Sequence, residues 1–295
     1  MKIGILISNK SLEQYTNIES LEKAAINNAC KVVRLYESKL LFNKNCVQEN
    51  GDQIDDIDII IPRSNFTEEP SLHSHVPKLL KNAGFKILNS QHDYAWSKNK
   101  LVQAVLFNEF NIPTPNWYIT KSPKEALNAA NKIKFPVIIK VAFGTLGKGV
   151  FYTPDSESLL SIADYLSVRD GNPMIVQEYI SEANQQDIRV FIVGGKIVAS
   201  MKRTACKGDV RANTSNGGTG SLIKLTGEET KLATRTAKIF KLDIAGIDII
   251  RSNNGPLILE VNSNPGFKEL QKITNIDIAD LIIKFAINSV VKAKK

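Results

Sequence analysis

The sequence predicts an α/β (α+β) fold, with a parallel sheet at the N-terminus and antiparallel hairpins after it. Two observations carry that prediction. Residues 1 to about 95 alternate short β-branched runs with helical periodicity, the pattern of parallel strands joined by crossover helices. Later stretches pair apolar runs across tight turns, first around Gly194-Gly195 and again around Asn253-Asn254-Gly255. At 295 residues the chain can build two or three sub-domains around sizeable cores. Its 43% hydrophobic and 23% charged content is that of an ordinary globular protein.

Lys2–Ser8, Cys30–Tyr36, Ile57–Ile61 and Phe85–Leu88 read as the first strands. Ile18–Ala29 and Pro70–Ala83 read as helices, the second kinked or split by Pro77 and stopped by Gly84. The first strand runs into Asn9-Lys-Ser-Leu rather than G-x-G-x-x-G, which excludes a dinucleotide fingerprint. Arg63 leaves a strand's C-terminal end, where ligands of open sheets bind, though an arginine there is ordinarily a surface residue. Ser97 is expected to cap a helix with Lys100 in its first turn and Leu101, Val105 and Leu106 on its apolar face. Ser122-Pro-Lys-Glu125 and Thr226-Gly-Glu-Glu229 are capping boxes opening two further helices.

Phe135 to Ala142 is a buried strand holding one charge, Lys140, and lysine is seldom buried without a partner. The glycine-rich loop from Gly144 to Gly149 follows, of a kind that lets backbone N–H groups approach phosphate; the Walker spacing is absent. Ser156–Leu166 is helical, and Met174 to Ile180 is a strand ending in polar residues. The hairpin from Asp187 to Arg203 sets Asp187 and Arg189 on one face and Ile188, Val190 and Ile192 on the other. Ile276–Val291 closes the chain as an amphipathic helix with Ile278, Leu281, Ile282 and Phe285 on one face.

Composition excludes several classes. No apolar run approaches the ~18 residues of a membrane span, and the start lacks a cleavage site. Cys30, Cys46 and Cys206 are odd in number and widely spaced, which implies reduced thiols and a cytoplasmic location. The net charge of +8 is spread along the chain with no basic stripe interleaved with aromatics, so direct nucleic-acid binding has no motif behind it. A basic surface would equally attract an acidic protein substrate. His73 and His75 have no third ligand that would complete a metal motif.

The most informative stretch is Ala245 to Gly266, two apolar runs about a turn that carry Asp248, Glu260 and Asn262. Glu260 and Asn262 share a face, with Leu257, Leu259 and Val261 on the other. A two-residue Asn254-Gly255 turn would set Asp248 opposite Val261. A three-residue Asn253-Asn254-Gly255 loop sets it opposite Glu260, and is preferred because it gathers three oxygen donors. Such donors suit Mg²⁺ or Mn²⁺ rather than zinc; the plain alternative is a solvated face of an antiparallel hairpin.

This hairpin resembles the last metal-binding hairpin of ATP-grasp ligases, specifically the RimK-type glutamate ligases. Further pieces agree in order: Ser97-Lys-Asn-Lys100, Ile138-Ile-Lys140, Gly144-Thr-x-Gly-x-Gly-Val150, Gln177-Glu-Tyr-Ile180, Asp187-Ile-Arg189, Arg203, Gly208-Asp-x-Arg211-x-Asn213 and Gly217-Gly218. The resemblance spans nearly the whole chain, weakest before residue 90. It implies an ATP-grasp fold: a pre-ATP-grasp domain over 1–95, a small subdomain with the glycine-rich loop over 96–182, and a C-terminal subdomain with the metal hairpin over 183–295. It implies that Lys100 and Lys140 hold ATP phosphates and that Gln177, Glu178, Tyr179 and Ile180 form the hinge beside adenine. Asp187 then lies in the nucleotide pocket, Arg211 and Asn213 reach nucleotide and reacting centre, and Arg203 does the same. Asp248, Glu260 and Asn262 bind two Mg²⁺ or Mn²⁺ ions, with Glu260 bridging.

The implied reaction joins a carboxylate to an amine through an acyl phosphate, and arginines stabilise the charge that develops. The implied substrates are ATP, L-glutamate and an acceptor carboxyl terminus, first among them that of a small-subunit ribosomal protein. A small cofactor, a carrier protein or a peptide precursor is the alternative acceptor, and a nucleotide-binding module without ligase activity is the alternative class. A homo-oligomer remains open. Two departures from the family pattern, Thr214-Ser215-Asn216 after Asn213 and Leu146 in the glycine loop, fall on the acceptor side.

Overall fold

The computed structural model describes residues 1–8, 17–44, 46–64, 75–92, 97–144, 148–169, 171–206, 208–209, 212 and 217–293. Arg211 and Asn213, His73, and the loop residues Thr145 to Gly147 lie outside these.

Strands β1 (Lys2–Ile7), β2 (Lys31–Tyr36) and β6 (Ile59–Pro62) form a parallel sheet in the order β2-β1-β6. β1 is buried on both faces, which is why it reads as a nearly continuous apolar run. Ile3, Ile5 and Ile7 pack with helix α1 (Ile18–Asn27), while Leu6 packs with Val76 and Leu80 of α2 (His75–Asn82). Pro77 does not split α2, which runs unbroken from His75 to Asn82. Phe85–Leu88 contributes only a single parallel bridge, Ile60 to Ile87, because the chain turns away directly after it. Three short strands, β3 (Leu40–Phe42), β4 (Val47–Glu49) and β5 (Asp52–Gln53), form a small meander with no counterpart in the sequence reading.

The second sheet is antiparallel, ordered β7-β10-β8-β9: β7 (Trp117–Thr120), β8 (Val137–Val141), β9 (Val150–Thr153) and β10 (Met174–Glu178). Its inner face packs on α4 (Pro123–Ile133) and α5 (Ser156–Arg169). The Ser122 hydroxyl accepts from the Glu125 N–H at the start of α4. Helix α3 (Lys100–Glu109) precedes this sheet. Asn99, not Ser97, caps it, accepting from the Leu101 and Val102 N–H groups at 2.9 and 3.3 Å. Ser97 is buried and donates to Ser263 Oγ at 2.7 Å. The buried face of α3 is Gln103, Ala104 and Phe107, whereas Val105 is exposed.

The third sheet is ordered β13-β12-β11-β14-β15: β11 (Gln186–Val193), β12 (Lys196–Thr204), β13 (Thr219–Leu222), β14 (Ile244–Ser252) and β15 (Gly255–Asn262). Ile188, Val190 and Ile192 bury one face with α6 (Gly227–Ile239). The opposite face changes along β11. Phe191 and Val193 join the core shared with β1 and α1, while Asp187 and Arg189 face a cleft. Helix α7 (Lys268–Thr274) was not foreseen, and the closing helix α8 (Ile278–Ala293) buries Ile278, Ala279, Ile282, Ile283, Ala286 and Val290. That stripe is turned from the expected one, leaving Leu281 and Phe285 half-buried. Among the described residues, no helix is long and apolar enough to cross a membrane.

Candidate active site

Asp248 does stand opposite Glu260, but not by the expected loop. Ser252 pairs with Gly255, so the turn is Asn253-Asn254, and Gly255 takes the positive φ of 108°. That register alone would bring Leu259 opposite Asp248. A bulge intervenes: Ile249 pairs with Ile258, and Asp248 pairs with Glu260. The extra residue re-aims the strand. Ile258 and Val261 therefore share the core, and Leu259 joins Glu260 on the cleft wall instead of taking the opposite face. At the same end, Gly246 pairs with Asn262, and a Cβ at Gly246 would lie 2.6 Å from Pro265. Its lack of a side chain admits the Asn264-Pro265-Gly266 turn against the sheet.

Two buried amides hold this hairpin in place. β15 is an edge strand, and the Gln103 side chain completes its edge. Gln103 Oε1 accepts from the Val261 N–H at 2.9 Å, and Nε2 donates to the Val261 and Ser97 carbonyls at 3.0 and 2.7 Å. Asn89 Nδ2 donates to the carbonyls of Ile244 and Ser263, both at 3.1 Å, and its Oδ1 accepts from the Ile244 N–H at 2.8 Å.

Lys100, Lys140, Gln177, Glu178, Tyr179 and Ile180 line one cleft of about 1090 Å³, and so do Asp187, Arg203, Asp248, Glu260 and Asn262. Alternation in β8 sends Ile139 to the core and Ile138 and Lys140 to the cleft. Burial pushes Lys140 down to about 8, with Glu260 opposing the shift. Lys100 Nζ lies 3.3 Å from Glu260 Oε1 and 3.4 Å from the Gly144 carbonyl. Tyr179 meets Tyr152 edge-to-face at 5.1 Å. Glu178 accepts from the Asn116 N–H and side-chain amide at 3.1 and 2.8 Å, tying the end of β10 to the segment before β7.

The floor carries an alternating charge ladder. Arg203 donates to both oxygens of Asp187 at 2.6 and 2.7 Å, and its Nη2 lies 3.0 Å from Asp248 Oδ2. Arg189 grips Asp248 from the other side through Nε and Nη2. Burial opposes ionisation of Asp248, but Arg189 and Arg203 outweigh it and hold the carboxyl at about 2. Burial also pushes Asp187 upward, yet its two bonds to Arg203 require the carboxylate.

Two cleft-lining groups, Lys98 and Arg189, were missed as site residues. Lys98 lines the cleft, pushed to about 8 by burial and by neighbouring cations, with Glu260 opposing; its signal was its place within Ser97-Lys-Asn-Lys100. Arg189 had been set on the correct face without a role. Arg63, for which the sequence offered a ligand-side position and a surface one, is buried at 2% exposure. It donates to the Pro265 carbonyl at 3.1 Å and stacks over Phe267 at 5.5 Å. Its position under a loop 200 residues away leaves no local trace. Cys30, Cys46 and Cys206 are reduced, with no disulfide among them.

Among the described residues, no group of three His, Cys, Asp or Glu side chains could hold a metal, so a cation here would rest on two carboxylates and an amide. That set fits a hard divalent ion. Among the described residues the buried Nδ2 of Asn262 has no hydrogen-bond partner; as a donor it suits an acceptor such as a phosphate oxygen, while Oδ1 is the atom a cation would take. Coordination by Asp248 would exchange at least one guanidinium contact.

A nucleotide-sized cleft lined from two antiparallel sheets by buried lysines and by carboxylate and amide oxygen donors is the arrangement of an ATP-grasp ligase. Solved structures of that class share the fold. The RimK domain ATP-grasp protein from Sphaerobacter thermophilus aligns with TM-score 0.76 at 17% identity, over 97% of this chain and 99% of that one. The ATP-grasp ligase PsnB, in complex with minimal precursor, Mg and ADP, aligns with TM-score 0.74 at 17% identity, over 98% and 97%. The family model of the RimK-like ATP-grasp domain matches residues 96–286, and the chain belongs to that family of ligases. A relative from Alcanivorax borkumensis, named "Probable alpha-L-glutamate ligase", is 34% identical over 290 residues, which is 97% of this chain and 94% of the relative.

Proposed function

We propose that the chain is an ATP- and Mg²⁺-dependent α-L-glutamate ligase that extends the carboxyl terminus of a protein acceptor, first among them a small-subunit ribosomal protein. The observation that carries this reading is one cleft shared by Lys100, Lys140, Arg203, Asp248, Glu260 and Asn262. The names of the curated relatives support glutamate as the amino acid.

Gln177 to Ile180 line the adenine end, and Lys140 and Lys100 meet the triphosphate. Asp248, Glu260 and Asn262 would hold two divalent ions, Mg²⁺ or Mn²⁺, which when bound neutralise the triphosphate and the attacking carboxylate. An acceptor carboxylate oxygen attacks the γ-phosphorus, the bond to the β-phosphate oxygen breaks, and ADP leaves. The glutamate amine then attacks the acyl carbon, loses a proton and expels phosphate, leaving an amide. Arg203 and Arg189 hold positive charge beside the transferring phosphoryl group. Arg211 and Asn213 are proposed to approach it from the segment after β12. No protein nucleophile is required.

The test is ADP release with Mg²⁺, ATP and each of the twenty amino acids, with and without a C-terminal peptide of the ribosomal protein. ADP that depends on glutamate and peptide, with mass gains of whole glutamyl units, is the expected result. Glutamate-dependent ADP without peptide modification redirects the acceptor, and the absence of amino-acid-dependent ADP refutes the ligase reading.

A further inference from the structure

We infer that Lys268 and Lys272, on the cleft side of α7, recognise a second carboxylate on the amine substrate and so make the cleft selective for an acidic amino acid, a reading that rests on the ligase function above. Both lysines line the cleft, and their i, i+4 spacing puts them on one helical face. They lie six and ten residues beyond Asn262 in the chain, and line the same cleft as Asp248, Glu260 and Asn262.

The helix that carries them is held firmly. Leu270 is fully buried, Phe267 packs edge-to-face on Phe191 at 5.8 Å, and the Phe267 N–H donates to Asn17 Oδ1 at 3.0 Å. Gly220 of β13 lets α7 come close: a Cβ there would lie 2.3 Å from Ile273. The acids of the cleft are already engaged, Asp187 and Asp248 by arginines, Glu260 by Lys100 and Glu178 by Asn116. Glu269 also lines the wall, but its carboxylate lies over Gly220, 3.1 Å from that same Cβ position. No ion pair to a described residue occupies Lys268 or Lys272. Two exposed ammonium groups on a packed helix, in the cleft that also holds the proposed reacting centre, match the chemistry of an α-amino dicarboxylate, whose α-amine reacts while its side-chain carboxylate is held.

The full-length enzyme tests this with glutamate and glutamine as paired amine substrates. Both lysines are exposed, so Lys268→Gln with Lys272→Gln should melt at the parental temperature. The double variant should raise the KM for glutamate at least about tenfold, as expected for a lost charge-assisted hydrogen bond, and leave the KM for ATP, kcat and the KM for glutamine within about twofold. An unchanged KM for glutamate, or equal shifts for glutamate and glutamine, overturns the inference while glutamate turnover by the parent keeps the ligase reading. Parent turnover that does not depend on an acidic amino acid overturns both.

Discussion

Gln103→Met removes the amide that holds the free edge of β15 while nearly preserving side-chain volume. Three hydrogen bonds disappear, to the Val261 N–H, the Val261 carbonyl and the Ser97 carbonyl. Gln103 is 2% exposed, so water does not replace them. At about 1 kcal/mol per bond, and more where a buried partner is orphaned, the loss is on the order of 3 kcal/mol. For a chain of this size that lowers Tm by roughly 6–12 °C. The effect is also local, because Val261 lies between Glu260 and Asn262. Their spacing loosens, and the Mg²⁺ concentration for half-maximal ADP release should rise about tenfold, with a smaller change in KM for ATP, since misplacement of a site by about 1 Å is costly. Thermal melting and Mg²⁺ titration are the assays. Gln103→Glu is the companion: it keeps the acceptor for the Val261 N–H but faces two carbonyls with a carboxylate, and should be worse. A methionine variant that melts within about 1 °C of the parent refutes the hydrogen-bond assignment. A lowered Tm with unchanged Mg²⁺ dependence refutes the positioning role.

Three other outcomes follow from the same geometry. Glu260→Gln should keep the fold and abolish turnover, because the carboxylate shared by Lys100 and the proposed cations is gone; near-normal turnover sinks the metal assignment. ATP affinity should weaken as pH rises from about 7 to about 9, since Lys140 loses its proton through about 8. The sign for stability is opposite: between about 8 and the ordinary lysine value of 10.5 the unfolded chain binds more protons, so Lys140 makes stability rise with pH. Lys140→Arg, always charged, should flatten the affinity profile, and a flat parental profile contradicts the lowered pKa. Thr226→Ala should cost about 1 kcal/mol through the capping box of α6, seen in Tm without change in kcat, because among the described residues the Thr226 and Glu229 side chains bond to each other's backbone and to Arg251, away from the cleft.

Much of the fold was legible because it is written in local periods. Strand alternation set Asp187 and Arg189 against Ile188 and Val190, and the cap at Ser122 and the box at Thr226 opened helices where expected. The cleft residues that could be named from sequence were those in ordered motifs, Lys100, Lys140 and the hairpin acids among them. What the sequence determined by itself was therefore which faces are apolar, where the turns fall and which polar residues break the pattern. These depend on neighbours one to four positions away.

Tertiary structure decided the rest. The bulge at Leu259 restored the Asp248–Glu260 pairing that the Asn253-Asn254 turn would have lost, a correction invisible to alternation alone. Gln103 gains its role only when β15 arrives from 158 positions away. Asp248 reads as a free ligand until two strands bring Arg189 and Arg203 to either side of it. Lys98, Lys268 and Lys272 come to line one cleft only when segments distant in sequence close around it. The physical reason is common to all of them: hydrogen bonds, ion pairs and desolvation act over a few ångströms of space, and only the folded chain sets which groups lie that close.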